Sequence, residues 1–133
     1  MIGILVITHG HSGSDMVSTL RRLMGDERTR GFEGLDVEVG EAKPDIRRRL
    51  HDAVARIDDG EGVLVCADLP GATPTNCAIE EMRESRSMAV VAGVNLPMLV
   101  KLATANRAGL TPEALAHAAL DTAIRSIRLE GCK

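Results

Sequence analysis

Aromatic side chains are almost absent from this sequence of 133 residues, which contains one Phe and no Tyr or Trp. Proteins that bind single-stranded nucleic acid or flavins commonly stack the bases or the ring system on aromatic side chains. The composition therefore argues against both kinds of ligand. Because 44% of the residues are hydrophobic, the core must instead be built from Val, Ile, Leu, Met and Ala.

An excess of positive charge, a long apolar segment and paired cysteines are also missing. The net charge of −3 gives no electrostatic reason to expect nucleic acid or an acidic membrane surface as a partner. No apolar run approaches the ~20 residues that span a bilayer, and the apolar start of the chain lacks the basic flank of a signal peptide. The cysteines form no CxxC pair and are odd in number, so we expect no disulfide framework and a cytoplasmic protein.

The hydrophobic pattern predicts strands and helices in alternation. Continuous apolar runs are typical of strands buried on both faces of a sheet, and such runs occur at residues 2–7, 62–67 and 88–92. A run that alternates apolar and charged residues at 35–39 predicts a half-exposed edge strand. Apolar residues at helical spacing follow these segments, and a last helix is predicted from Thr111.

This order of elements, β-α-β-α-β-α-β-α-α, predicts an α/β fold with an open, mostly parallel sheet and helices on both faces. We expect one domain over residues 1–133. The fourth helix is predicted to run to about Asn106, and residues 124–129 alternate at their end and are a candidate for a short terminal strand. The half-exposed second strand belongs at an edge, which predicts the strand order 2-1-3-4.

Two chemically capable residues follow neighbouring strands of this predicted sheet. In an open parallel sheet, ligands bind beyond the carboxyl ends of the strands, at the point where the strand order reverses. In the order 2-1-3-4 the reversal lies between the first and third strands. Those strands end at His9 and Asp68, so we expect the two side chains to meet there.

A histidine beside a carboxylate is suited to nucleophilic chemistry. Imidazole attacks through a nitrogen lone pair only when it is neutral, and a carboxylate that accepts the other N–H selects the tautomer and stabilises the cation formed on attack. Thr73 and Pro74 are typical of an N-cap and a first helical residue. A helix N-terminus, which favours anions, is therefore expected beside the pair. These features favour a phosphoryl group as the ligand.

Three segments resemble signatures of a known family, the enzyme IIA components of the mannose-type (mannose/fructose/sorbose) phosphoenolpyruvate-dependent sugar phosphotransferase system. The segments are GILVITHG at 3–10, DLPGATPTN at 68–76 and AGVNLPML at 92–99. The second segment is similar to the family's loop of Asp, two variable residues, Gly-Gly-Ser-Pro, one variable residue and Asn. The spacing agrees in all three, and the likeness covers nearly the whole chain.

The resemblance implies a phosphocarrier that works through a phosphohistidine. His9 would accept a phosphoryl group from the carrier protein HPr and pass it to an enzyme IIB partner, in sugar transport or its regulation. Asp68 would orient the imidazole, and Thr73 takes the place of the family's serine near the phosphoryl oxygens. The other residues expected to border the phosphoryl group are Gly10, Gly71 and Ala72.

The family is dimeric, with a C-terminal strand exchanged between subunits, so the resemblance implies a homodimer in which the tail at 126–130 has this role. We expect no fused IIB domain, so either the acceptor is a separate IIB protein or the chain is a regulatory phosphoprotein in a system without a transporter. A membrane permease complex is a candidate partner, and no membrane insertion is expected. Two departures from the family pattern lie in the second segment. Leu69 and Pro70 replace polar or aromatic residues, and Ala72 replaces the second glycine.

Three alternatives remain open. A flavodoxin-like nucleotide-binding domain would use the polar, Gly- and Ser-rich stretch after the first strand as a phosphate loop, although this stretch lacks a Walker lysine. A metal hydrolase would use His9, His11 and Asp68 as ligands. A non-catalytic interaction module would share the fold but not the catalytic activity.

The remaining polar candidates are expected to have structural roles. His51 and His117 are predicted to lie on helix surfaces, and Cys77 is predicted to pack as a small buried residue. Three consecutive arginines at 47–49 are predicted to form a solvated helix face. No cofactor or metal ion is expected.

Overall fold

The computed structural model describes residues 1–85 and 87–133. Within these residues, strands and helices alternate until the last two helices follow each other. The elements are β1 (Gly3–His9), α1 (Ser12–Met24), β2 (Phe32–Val37), α2 (Lys43–Ile57), β3 (Val63–Ala67), α3 (Thr73–Glu84), β4 (Met88–Ala92), α4 (Leu96–Thr104) and α5 (Pro112–Arg125).

The strands form one parallel sheet in the order β2-β1-β3-β4, so the predicted class and strand order are confirmed. In the register of β1 with β2, Thr8 lies opposite Asp36 and His9 lies opposite Val37. The carboxyl ends of β1 and β3 are direct neighbours at the centre of the sheet. Within 1–85 and 87–133, no helix has both the length and the apolar character needed to cross a membrane.

Each face of the sheet carries its own apolar core, because side chains along a buried strand alternate between the two faces. Ile4 and Val6 of β1 pack with α1, α4 and α5, whereas Leu5 and Ile7 pack with α2 and α3. All four side chains are fully buried. At about 1.5–3 kcal/mol for each large aliphatic side chain removed from water, these two cores supply the main stabilisation, without aromatic packing.

Close contacts hold β1 and β2 in place at mid-strand and at their amino ends. In the middle of β2, a Cβ atom on Gly34 would lie 2.6 Å from the Cα atom of Ser14, so α1 can rest on β2 only because residue 34 has no side chain. At the amino ends of the strands, the buried Arg107 donates hydrogen bonds to the carbonyl oxygens of Ile2 (2.9 Å) and Arg30 (2.7 Å). Its guanidinium lies 4.8 Å from the ring centroid of Phe32.

Three predicted boundaries were wrong. The second strand ends at Val37, and Val39 is 93% exposed because it lies in the loop before the positive-φ turn at Gly40. Helix α4 ends at Thr104 rather than Asn106. Ile124 belongs to α5, whose helical spacing of buried residues continues to Ala123, and residues 126–133 of the single chain form no strand.

Candidate functional site

His9 and Asp68 meet at the centre of the sheet, as predicted from the strand order. The Nδ1 atom of His9 lies 2.8 Å from Oδ2 of Asp68, and the same carboxylate oxygen accepts the backbone N–H of His9 at 2.9 Å. The imidazole is 41% exposed and the carboxylate 22% exposed. The pair is therefore held by two hydrogen bonds at one carboxylate oxygen while the ring remains accessible.

Backbone hydrogen bonds from the next loops hold Asp68 in place. Its Oδ1 atom accepts the N–H of Leu69 at 2.9 Å. The backbone carbonyl of Asp68 accepts the N–H of Gly93, also at 2.9 Å, and the carbonyl of Ala67 accepts the N–H of Val94 at 3.0 Å. The loop after β4 thus holds the backbone of Asp68 in position, and Asp68 in turn positions His9.

The electrostatics of the pair favour a charged carboxylate and one histidine tautomer. Partial burial by itself would raise the pKa of Asp68, but hydrogen bonds from the His9 backbone, the His9 ring and the Leu69 backbone outweigh it and lower the pKa. An ionised carboxylate only accepts hydrogen bonds, so the proton of the neutral imidazole lies on Nδ1. Nε2 then carries the free lone pair.

The imidazole borders a cleft of about 250 Å³ between the loop after β2 and the starts of α2 and α3. Val37, Glu38, Val39, Gly40, Glu41, Ile46, Thr73 and Pro74 complete its lining. Thr73, predicted as part of the phosphoryl site, therefore shares a cleft with His9. The two lie on the face of the sheet that packs against α2 and α3.

The predicted cap of α3 was wrong by one residue. The N-cap is Ala72, in an extended conformation, and Thr73 and Pro74 are the first and second helical residues. Because the first N–H groups of a helix have no intrahelical acceptor and proline has no N–H, Thr73 and Thr75 supply the free backbone donors of this turn. The Thr73 hydroxyl is thus free of the capping role that the sequence assigned to it.

The loop around Ala72 needs no glycine at that position. Ala72 has φ −80°, an ordinary value for any residue, whereas the neighbouring Gly71 has φ +76°. Gly10, directly after His9, has φ +58° and donates its N–H to the carbonyl of Val37 at 2.9 Å. The departure from the family pattern at Ala72 is therefore compatible with this loop, since the left-handed position is residue 71.

The metal-ligand set of the hydrolase alternative does not come together. His11 bonds to Asp36 through Nδ1 at 2.9 Å, not to Asp68. Among residues 1–85 and 87–133, no group of three or more His, Cys, Asp or Glu side chains is placed to hold a metal ion. Cys66 is also unsuited as a thiolate ligand, because burial raises the pKa of its thiol to about 12.

The remaining predictions have mixed outcomes. His51 and His117 are exposed and Cys77 is buried, as expected. The solvated face at residues 47–49 was only partly right, because Arg47 is 23% exposed and bridges to carboxylates of α3.

Sequence reasoning missed Glu41, which lines the cleft, and assigned Arg49 only to a solvated helix face. Arg49 donates hydrogen bonds to the carbonyl of Asp36 at 2.9 Å and to Glu41 at 2.8 Å, which ties α2 to the loop that follows β2. The position of Glu41 just after a predicted strand end was the one available signal for this role.

The fold and the site define an α/β protein with an accessible histidine–carboxylate pair at the switch point of a parallel sheet. Residues 3–120 match the family described as PTS system fructose IIA component. The PTS system mannose-specific EIIAB component of Escherichia coli K12 is 31% identical over 100 residues, which are 75% of this chain and 30% of that protein. The chain therefore spans less than a third of this relative's length.

Relatives of similar size show the same likeness. The PTS system fructose-specific EIIA component of Bacillus subtilis 168 is 28% identical over 102 residues, 77% of this chain and 68% of that protein. The crystal structure of phosphotransferase system component EIIA from Streptococcus agalactiae has a TM-score of 0.85 at 25% identity, covering 96% of each chain. The mannose/sorbose specific IIA subunit from Enterococcus faecalis shares the fold, with a TM-score of 0.86 at 19% identity over 99% of this chain and 96% of that one.

The chain belongs to the family of PTS fructose IIA components, since the family match covers most of its length. The relatives that it resembles are named as components of the PTS.

Proposed function

We propose that this protein carries a phosphoryl group on His9, which accepts it from phosphorylated HPr and passes it to an enzyme IIB partner in the cytoplasm, for sugar transport or its regulation. The observation that carries the proposal is the 2.8 Å contact between His9 Nδ1 and Asp68 Oδ2 at an accessible cleft. This contact leaves Nε2 as the nucleophilic nitrogen.

In the proposed transfer, the Nε2 lone pair of neutral His9 attacks the phosphorus atom of phosphorylated HPr. A bond from Nε2 to phosphorus forms, and the bond from phosphorus to the donor nitrogen breaks, with its electron pair returning to the donor. The His9 ring becomes a cation that keeps its Nδ1–H directed at Asp68. The ionised carboxylate stabilises this cation, and the reverse steps deliver the group to enzyme IIB.

The phosphoryl oxygens would be held mainly by backbone donors and one hydroxyl. Thr73 lines the same cleft as His9, and the free N–H groups of the first turn of α3 favour an anion through their partial positive charge. Gly10 and Gly71 present backbone without side chains next to the pair, and a Cβ atom on either would meet nothing within 4 Å. We assign Ala72 to the same loop as a backbone contact.

The proposal is tested by phosphorylating the full chain with phosphoenolpyruvate, enzyme I and HPr, followed by intact-mass analysis and peptide mapping at alkaline pH. We expect an acid-labile phosphoryl group on His9 that is lost when enzyme IIB is added. His9→Gln should abolish labelling at residue 9, which fragmentation of the peptide distinguishes from residue 11, whereas His117→Gln, an exposed control, should leave labelling of His9 unchanged. An unmodified His9 in the wild-type chain, with carriers that label another IIA protein, would refute the proposal.

We further propose that two chains form a dimer in which the tail of one protomer adds to the edge of the other's sheet. β4 is an edge strand, and beside it lies a groove of about 320 Å³ bordered by Met88, Leu120 and His117. The tail carries two exposed apolar side chains, Ile127 and Leu129 (79% and 83% exposed). An added strand would cover both the unpaired strand edge and these side chains.

A further inference from the structure

A second histidine–carboxylate pair lies at the same end of the sheet. The Nδ1 atom of His11 is 2.9 Å from Oδ2 of Asp36, close to the 2.8 Å of the pair formed by His9 and Asp68. Asp36 is near the carboxyl end of β2, as Asp68 follows β3. The His11 side chain is 72% exposed, so its Nε2 atom is accessible to a large or a small donor.

Ser14 fixes the orientation of this second pair. Its hydroxyl donates to Oδ2 of Asp36 at 2.8 Å, and its backbone N–H points to Oδ1 at 3.4 Å. Burial by itself would raise the pKa of Asp36, but the hydrogen bonds from His11 and Ser14 outweigh it and lower the pKa. The carboxylate is therefore ionised at neutral pH and accepts a hydrogen bond from Nδ1–H. The lone pair of the neutral ring is then on Nε2.

The two pairs lie on opposite faces of the sheet. Asp36 is opposite Thr8 in the register, and the Thr8 hydroxyl accepts the N–H of Gly13 in α1 at 2.6 Å. His9 instead borders the cleft formed with α2 and α3. His11 is therefore separate from the first site and needs nothing from it.

The other two histidines lack part of this arrangement. His51 bonds to Glu81 at 2.7 Å but lies inside α2, where backbone N–H groups are used within the helix. His117 lies 3.9 Å from Glu113, beyond hydrogen-bond distance. His11 is instead the N-cap residue of α1, so the positive end of the helix dipole lies beside its bonded carboxylate; the N–H groups of Gly13 and Ser14 are themselves bonded to Thr8 and Asp36.

We propose that His11 is a second phosphoryl acceptor, which takes a phosphoryl group on Nε2 from donors with a phosphorus–nitrogen bond. The Nε2 lone pair forms a bond to phosphorus, and the bond from phosphorus to the donor nitrogen breaks, with its electrons leaving on the donor. With phosphoramidate as donor, the leaving group is ammonia. The positive charge formed on the His11 ring is balanced by Asp36, to which Nδ1–H remains bonded.

The acidic surroundings of His11 set the pH at which it reacts. Its hydrogen bond to Asp36, and then the charges of Asp36, Glu38 and Asp15, raise the pKa of His11 above its usual value. A protonated ring has no lone pair on Nε2, so labelling is slow below the raised pKa. It increases as the pH rises through that pKa.

The test is to incubate the full chain with phosphoramidate alone between about pH 6 and about pH 9, and to map the phosphoryl groups by mass spectrometry. We expect label on His11 that increases with pH, persists in His9→Gln and disappears in His11→Gln. His51 and His117, which are 68% and 75% exposed, serve as controls within the chain. Absence of label on His11, or equal label on His117, would overturn the proposal.

Asp36→Asn tests whether the carboxylate activates the ring. At a pH above the raised pKa of His11, where the ring is neutral in both proteins, we expect labelling of His11 to become about tenfold slower, because the amide cannot balance the cation. Labelling of His9 should keep its rate and the circular dichroism spectrum should be unchanged. An unchanged rate at His11 would contradict the proposal. Because phosphoramidate needs no carrier protein, this result is independent of whether HPr serves His9.

Discussion

At the scale of single residues, the proposed chemistry depends on which nitrogen of each imidazole is hydrogen-bonded to a carboxylate. Asp68 binds both the backbone N–H and the ring Nδ1 of His9 through one oxygen, so position and tautomer are set together. Its other oxygen is held by the N–H of Leu69. An asparagine at this position can keep the shape of these contacts but not the charge.

We therefore expect Asp68→Asn to slow phosphoryl transfer to His9 by about a hundredfold while the protein remains folded. The matched control is Asp36→Asn, the same change in the neighbouring pair on the other face of the sheet, which should leave transfer to His9 unaffected. Single-turnover labelling from phosphorylated HPr measures both variants. Equal rates for Asp68→Asn and wild type would remove Asp68 from the mechanism.

The same variant has a stability signature that depends on pH. The pKa of Asp68 is lowered in the folded protein, so its carboxylate contributes stability above the unfolded pKa and loses it as the pH falls through the folded pKa. Thermal unfolding should show wild type to be more stable than Asp68→Asn at pH 7. This difference in stability should disappear below about pH 4. A gap independent of pH would mean that the charge is not responsible.

At the scale of elements, helix α1 is positioned by its close approach to β2. A Cβ on Gly34 would lie 2.6 Å from Cα and 2.7 Å from the backbone N of Ser14. Backbone atoms cannot move aside as the end of a flexible side chain can. Strand and helix must therefore separate if residue 34 gains a side chain, and the contacts between Ser14 and Asp36 would separate with them.

Gly34→Ala should accordingly destabilise the fold by about 1–3 kcal/mol, the usual cost of overpacking, measured by urea unfolding. Gly131→Ala is the control, because a Cβ there meets nothing within 4 Å and φ is not in the left-handed region. Equal stability of the two variants would show that α1 and β2 can separate without cost.

At the scale of the whole molecule, β4 is one of the two edge strands of the sheet and lies beside an open groove. The tail after α5 carries exposed apolar side chains. Ile127 and Leu129 lie outside both apolar cores. Exchange of this segment between two copies would pair the strand edge and bury the two side chains. Within the described part of the single chain, the outer edge of β4 has no partner strand and the two side chains are exposed.

If the tail is exchanged, replacing both Ile127 and Leu129 by Asp should convert a dimer into a monomer of unchanged secondary structure. Light scattering coupled to size-exclusion chromatography gives the mass. Leu23→Asp, a change at an exposed apolar residue of α1, should leave the dimer intact. A wild-type chain that is monomeric at high concentration, or a tail variant that remains dimeric, would contradict the exchange.

Much of the fold could be predicted because its signals are local. Buried parallel strands need continuous apolar runs and an edge strand alternates, so the runs at 2–7 and 35–39 were enough to place β1 inside and β2 at the edge. The meeting of His9 with Asp68 followed from that order, since neighbouring parallel strands end at the same rim. The prediction that the second strand extends to Val39 was wrong, because an alternating pattern does not show where a turn at a glycine ends the strand.

The elements, the strand order and the central pair could be predicted from the amino-acid sequence alone, because apolar periodicity is a property of consecutive residues. Which side chains bond across elements could be seen only in the folded chain. The bond between His11 and Asp36, the close contact of Gly34 with Ser14 and the extended cap at Ala72 depend on register and side-chain direction. These arise when the helices pack on the sheet, and no local pattern encodes them.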